Sequence, residues 1–206
     1  MMILYCAPIS PFARKVRMLT RHLGFEGDVE ERFVDTAAPD ATFFAANPLA
    51  KIPTLVTPQG QALFDSAVIA AYLDARAGNP LTPPGEACFA AKAYEALADG
   101  VMEAIVLIVY ERRWREEAKR EPRWVAHQEA KIARGLTRAS ETVVRPGHQL
   151  QIGDFSLAAA LGYLDLRFEG TWRATFPDLE GWLTDFAAQV PAFEATRYHA
   201  SSQRRA

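Results

Sequence analysis

The sequence predicts a small α/β domain followed by an all-helical domain, on three observations. As far as Gly78, short strand-like runs alternate with stretches of helical period. A cluster of breakers, Gly78-Asn79-Pro80 and Pro83-Pro84-Gly85, then interrupts both periodicities. Everything after that linker carries the helical period alone. The expected domains are residues 1–78 and 86–201.

Taken in order, Met2 to Tyr5 is a short apolar run suited to a buried strand. Ser10-Pro11 opens a helix, because serine is a good N-cap and proline is favoured at the first helical position. Phe12, Val16, Leu19 and Leu23 form its apolar stripe, and Gly24 ends it. Such a start aims unpaired N–H groups and the positive end of the helix dipole at whatever lies beside Ser10. It is a natural place for an anion, a thiolate included. Val29 to Val34 is a second strand, and Glu30, Glu31 and Arg32 mark it as an edge. Pro39 to Ala46 is a short helix stopped by Asn47-Pro48. Thr54-Leu55-Val56 and Ala62-Leu63-Phe64 form a hairpin around Thr57 to Gln61, and Asp65-Ser66 caps a helix running to Arg76. Beyond the linker, helices are expected over Glu86 to Glu117, Pro122 to Val144, Ser156 to Phe168 and Pro177 to Gln189. A short one follows from Pro191. Arg145-Pro146-Gly147 is expected to be a turn, and the tail from Ser201 to Arg205 to fray.

Composition bounds the function. The chain has 206 residues, half of them apolar and 23% charged, with a net charge of -2. That is ordinary for a soluble globular protein and gives no basic field for nucleic acid or anionic membrane. The longest apolar run, Ala104 to Tyr110, falls far short of the roughly 20 residues of a membrane span. Met1 to Tyr5 is too short for a secretory leader and is followed by Pro8 and Pro11, so a cytoplasmic location is expected. Cys6 and Cys88, the two cysteines, read as free thiols, not as a disulfide framework. The four histidines are scattered without metal-ligand spacing, and no metal is expected. Arg14, Lys15, Arg17 and Arg21 share one face of the first helix, which reads as solvated or as a dimer contact.

Ala50-Lys51-Ile52-Pro53-Thr54-Leu55 followed by Phe64-Asp65-Ser66 resembles the glutathione-binding core of the cytosolic glutathione transferases. The resemblance continues through Ile152-Gly153-Asp154-Phe155-Ser156-Leu157-Ala158, Tyr163-Leu164-Asp165, Phe176-Pro177-Asp178-Leu179 and Val190-Pro191-Ala192-Phe193. It implies a thioredoxin-like N-terminal domain ahead of an all-helical C-terminal one. It implies a cis peptide at Pro53, glutathione as co-substrate, a hydrophobic electrophile as second substrate, and a homodimer. The main chain of Ile52 beside Pro53 would pair with the cysteinyl backbone of glutathione, as an added strand does. Ser66, at a helix N-terminus, would take the γ-glutamyl carboxylate, Asp65 the ammonium, and Lys51 the glycyl carboxylate. Phe12 joins this glutathione set.

In thioredoxin-like redox proteins the nucleophilic cysteine stands where Ser10 does, with a second cysteine three residues on. Here those positions are Ser10 and Ala13, so no dithiol cycle is available at that helix start. Ser10 is instead a hydroxyl able to donate a hydrogen bond to the thiolate of glutathione. Two alternatives stay open. Tyr5 ends the first strand, where several classes of the family place a catalytic tyrosine, and Cys6 could form a mixed disulfide with glutathione in disulfide or peroxide reduction. A non-catalytic glutathione-binding or dimeric interaction protein is a further possibility on the same fold. The electrophile pocket is expected along the long helix after the linker, at Met102, Ile105, Val106, Tyr110 and Arg113; plain helical core explains the first three equally well. In the family the helix at Ser156 usually begins with a capping box, whose acid is replaced here by Ala159. Ser156 is therefore expected to cap one way only, so that Ser156→Ala lowers the unfolding midpoint.

Overall fold

In the computed structural model, residues 1–143 and 147–198 are described. The expected turn at Arg145-Pro146 and the tail from Ser201 lie outside them. The chain forms two compact units, one of Met1–Gly78 with the chain from Val190 on, the other of Asn79–Gln189.

The first unit is thioredoxin-like. Its strands are β1 (Met2–Cys6), β2 (Val29–Phe33), β3 (Thr54–Val56) and β4 (Ala62–Leu63), in the order β2-β1-β3-β4. β1 pairs parallel with β2 across the crossover helix α1 (Pro11–His22), and antiparallel with β3, Leu4 opposite Leu55 and Tyr5 opposite Thr54. β3 and β4 form the expected hairpin, and charged β2 is an edge. α2 (Ala41–Ala46) starts at an Asp40 cap, and α3 (Ser66–Arg76) at an Asp65 cap. α1 ends where Gly24 takes φ +79°, a left-handed conformation that glycine adopts without penalty. Leu4, Val16, Leu19, Phe43, Leu55, Ile69 and Leu73 are fully buried and form the core.

The basic face of α1 corrects a sequence expectation, since it is not solvated. Arg14, Lys15 and Arg17 are buried. Arg14 donates to the Phe193 carbonyl at 2.8 Å and lies over its ring, which fixes the last short helix, α8 (Ala192–Ala195), on α1. Arg17 and Arg21 hold the two oxygens of Glu31 on β2, at 2.8 and 2.7 Å. The charges are taken up within the unit.

The second unit is helical, as expected: α4 (Ala87–Trp114), α5 (Pro122–Val143), α6 (Ile152–Phe168) and α7 (Pro177–Gln189). α6 is the centre, buried on nearly every side from Ile152 to Leu164, and α4 packs along it. Among the described residues no helix is long and apolar enough to cross a membrane.

The start of α6 is the second correction. The helix begins at Ile152, not Ser156, and Asp154 supplies the acid of its cap. Gln151 N–H donates to Asp154 Oδ2 at 2.7 Å, while Tyr94 Oη donates to Oδ1 at 3.0 Å from α4. His148 Nε2 lies 2.9 and 3.0 Å from the two oxygens. Gly153 is required beside this carboxylate, because a Cβ there would overlap the Tyr94 ring. Asp154 holds the His148 imidazole above its usual value, against the effect of burial. Burial, with the Asp154 charge, pushes the Tyr94 phenol well up. Ser156 lies inside the helix, its buried Oγ without a hydrogen-bond partner among the described residues.

Asp154→Ala should therefore cost about 3 kcal/mol in denaturant unfolding, because it strips a cap and strands a buried phenol. Ser156→Ala should leave Tm unchanged or raise it. The raised His148 value sets a pH dependence. Its stabilisation is complete below about pH 6.5, the unfolded value, and fades as pH rises through the folded one. The Tm gap between native protein and His148→Gln should accordingly be widest near pH 6 and narrow toward pH 9; a gap that widens would sink this assignment.

Candidate functional site

Three chain segments meet at one end of the β-sheet in the first unit, and strand register brings them there. β1 runs out at Cys6 toward Ser10. Thr54 pairs with Tyr5, so Ile52-Pro53, just ahead of β3, lies alongside the exit of β1. β4 is antiparallel to β3, Leu63 opposite Leu55, so Phe64, Asp65 and Ser66 leave the sheet at the same end.

Ser10 is half-buried and caps α1 in extended conformation, with φ -77° and ψ 125°. Its N–H bonds the Ala7 carbonyl at 3.1 Å, and its Oγ accepts from Ala13 N–H at 3.2 Å. The hydroxyl hydrogen is not spent on a partner among the described residues. Phe12, half-buried as the second residue of α1, has a first-turn N–H with no carbonyl partner among the described residues.

The Ile52–Pro53 peptide is cis, as the sequence resemblance implies, and so is Phe64–Asp65. The N–H and C=O of Ile52 make no hydrogen bond among the described residues. The loop ahead of them is fastened by Asn47, which is fully buried. Its Nδ2 donates to the Lys51 carbonyl at 3.0 Å and to Thr54 Oγ1 at 2.9 Å, and Thr54 Oγ1 donates to that carbonyl at 2.9 Å. Asn47 and Thr54 are the site-forming residues that sequence reasoning missed, having taken Asn47-Pro48 as punctuation. The Lys51 side chain is exposed.

At α3, Asp65 is exposed and its Oδ1 accepts from Ala67 N–H at 3.1 Å. Ser66 is nearly buried, and its N–H and hydroxyl carry no hydrogen bond among the described residues. A helix start with two open donors next to a carboxylate suits an amino-acid headgroup, which brings one charge of each sign.

The two alternatives to Ser10 are placed differently. Tyr5 is 5% exposed, with its ring 5.3 Å from that of Phe43. Cys6 is fully buried, and burial, with the Glu31 charge behind it, pushes its thiol up to about 12. A thiol in that state is neutral and closed to solvent at physiological pH. In the second unit, Met102 and Ile105 are fully buried, Val106 is half-buried, and Tyr110 and Arg113 are exposed at the C-terminal end of α4.

Comparison with known proteins agrees with this geometry. Residues 9–76 match the model of the glutathione S-transferase N-terminal domain. An Escherichia coli (strain K12) protein, "Uncharacterized GST-like protein YibF", is 31% identical over 77% of this chain and 79% of its own. A glutathione transferase family member from Pseudomonas fluorescens Pf-5, solved with bound glutathione, is 37% identical and superposes with a TM-score of 0.88, over 97% of this chain and all of that one. A structure from the same organism with bound S-(propanoic acid)-glutathione is 36% identical, with a TM-score of 0.85 over the same shares.

The burial difference between the two cysteines is directly measurable. A maleimide at neutral pH should label Cys88, which is half-buried, and spare Cys6, giving one adduct per folded chain and two in denaturant. Rapid labelling of both in the folded state would overturn the placement of Cys6.

Proposed function

We propose that this chain, which belongs to the glutathione S-transferase family, binds glutathione at this sheet end and transfers its sulfur to a hydrophobic electrophile. The observation that carries the reading is the meeting of three sets of hydrogen-bonding groups unspent among the described residues: the Ser10 hydroxyl donor, the main chain of Ile52, and the Ser66 donors beside Asp65. These groups match a γ-glutamyl peptide part for part. The Ser66 N–H and hydroxyl take the α-carboxylate, Asp65 takes the ammonium, Ile52 pairs with the cysteinyl backbone next to Pro53, and Lys51 reaches the glycyl carboxylate. Phe12 contributes the open N–H of the first turn of α1. That the Pseudomonas relatives were solved with glutathione and with an S-substituted glutathione supports both halves of the reading.

The chemistry follows from where the sulfur would sit. A free thiol has a pKa near 8.5, so about one molecule in thirty is thiolate at pH 7. A donated Ser10 hydrogen bond and the positive end of α1 both favour the charged form. Lowering the pKa by ~1.5 units brings the thiolate to about half. The thiolate then forms the new C–S bond. The electrophile either expels its leaving anion or, where it is an activated alkene, takes a proton from water at the adjacent carbon. Ser10 remains a hydrogen-bond donor throughout and forms no covalent intermediate. Tyr110 and Arg113, exposed on α4, belong to the acceptor side of this proposal, as does Val106. A homodimer in the cytoplasm completes the reading and rests on family membership.

A reductase using Cys6 is disfavoured by the closed, protonated thiol. A binding protein without turnover is separated by experiment. Titration calorimetry should give glutathione binding that Ser66→Ala and Asp65→Asn each weaken by roughly tenfold. The thiolate difference spectrum of bound glutathione should titrate one to two units below the free thiol in native protein, and move back toward it in Ser10→Ala. Binding with an unshifted thiol in both proteins would end the transferase reading.

A further inference from the structure

The helical unit contains a cavity of its own, of about 470 Å³, within the size range of small-molecule sites. One wall comes from α7, where Trp182, Asp185 and Phe186 stand at i, i+3 and i+4 and share a face. The Trp182 and Phe186 rings lie 5.3 Å apart. Phe186 in turn meets Phe155 of α6 edge to face at 5.5 Å, which seats this aromatic wall on the core. Val143 at the end of α5, and His148 and Asp154 at the entry of α6, also line the cavity. All of these residues lie within Asn79–Gln189.

The charges around this space do not balance. Asp185 is exposed and has no ion-pair partner among the described residues. Asp154 is already occupied, its oxygens taken by Gln151, Tyr94 and His148. No lysine or arginine is among the described lining residues. The cavity therefore carries net negative charge whether His148 is protonated or neutral. Its free carboxylate stands next to a phenyl ring and one turn from an indole, surroundings that suit a substituted ammonium better than a metal ion. His148 adds a directional contact. Its Nε2 is engaged with Asp154, and its Nδ1 has no partner among the described residues. That nitrogen donates to a hydroxyl when the ring is charged and accepts from one when it is neutral.

We propose that this cavity binds a substituted ammonium bearing a hydroxyl, with Asp185 opposing its charge, Trp182 and Phe186 bordering its alkyl groups, and His148 pairing with its hydroxyl. The site lies wholly within the helical unit, and it stands or falls apart from the glutathione reading.

Choline and its uncharged isostere, 3,3-dimethylbutan-1-ol, would be titrated into the full chain by calorimetry, with sodium chloride holding the ionic strength constant. Tryptophan emission would be followed in parallel. Native protein should bind choline roughly tenfold or more tightly than the isostere, with a change in emission from Trp182. Asp185→Asn should remove most of that preference while leaving the isostere within about twofold and Tm unchanged, since the side chain is exposed. Asp185→Glu should keep the preference. Trp182→Leu should weaken choline by roughly fivefold and abolish the emission change, whereas Trp182→Phe should lose the emission change and bind within about threefold. The two Asp185 variants decide the question even where a Trp182 variant fails to fold. Equal affinity for choline and its isostere, no choline binding at millimolar concentration, or choline binding that Asp185→Asn leaves untouched would each overturn the site.

Discussion

The antiparallel pairing of β1 with β3 is the constraint on which the site depends. With Tyr5 opposite Thr54, the end of β1, the start of β3 and the end of β4 face the same way. Side chains alternate along a strand, so a one-residue slip would send Leu55, now fully buried, toward the other face and carry the Ile52-Pro53 turn along β1. Hydrophobic burial therefore fixes the register, and the register fixes the distance between two loops that share no sequence neighbourhood. The Asn47 amide adds the final adjustment. By tying the Lys51 carbonyl to Thr54 it turns that acceptor inward and leaves the next peptide unit, at Ile52, with no partner among the described residues.

The helical unit rests on a different kind of contact, a carboxylate removed from water. Asp154 has 0% exposure yet three hydrogen-bonding partners from three parts of the chain: Gln151 at its own helix start, Tyr94 on α4, and His148 in the preceding segment. Burying a charge is tolerable only when it is so surrounded. The arrangement makes the entry of α6 depend on α4 being in place, which joins a local cap to the long-range packing of the unit.

Much of this was legible in the sequence where the signal is local. Ser10-Pro11 and Asp65-Ser66 start helices because the capping side chain and the N–H it serves lie within three residues. Every strand of the first unit was legible from its period and its bounding turns. The misreadings share one cause, a partner distant in sequence. Ser156 is a better cap residue by type than Gln151, but Tyr94, sixty positions from Asp154, favours the earlier start. The arginines of α1 read as solvated because Glu31 and the Phe193 carbonyl, which take them up, lie on other elements. Asn47 looked like a breaker because nothing local shows that its amide is buried. In the site, Ser10, Pro53, Asp65 and Ser66 were legible through motif resemblance.

The placement of Cys6 has a consequence for how such a site ages. The Cys6 sulfur is sealed and protonated, while the side chain at the start of α1 is the hydroxyl of Ser10. An oxygen cannot be capped by a disulfide, cannot climb to sulfenic or sulfinic acid, and needs no resolving partner to return to service. At the start of α1, then, an oxidative episode leaves no lesion to repair.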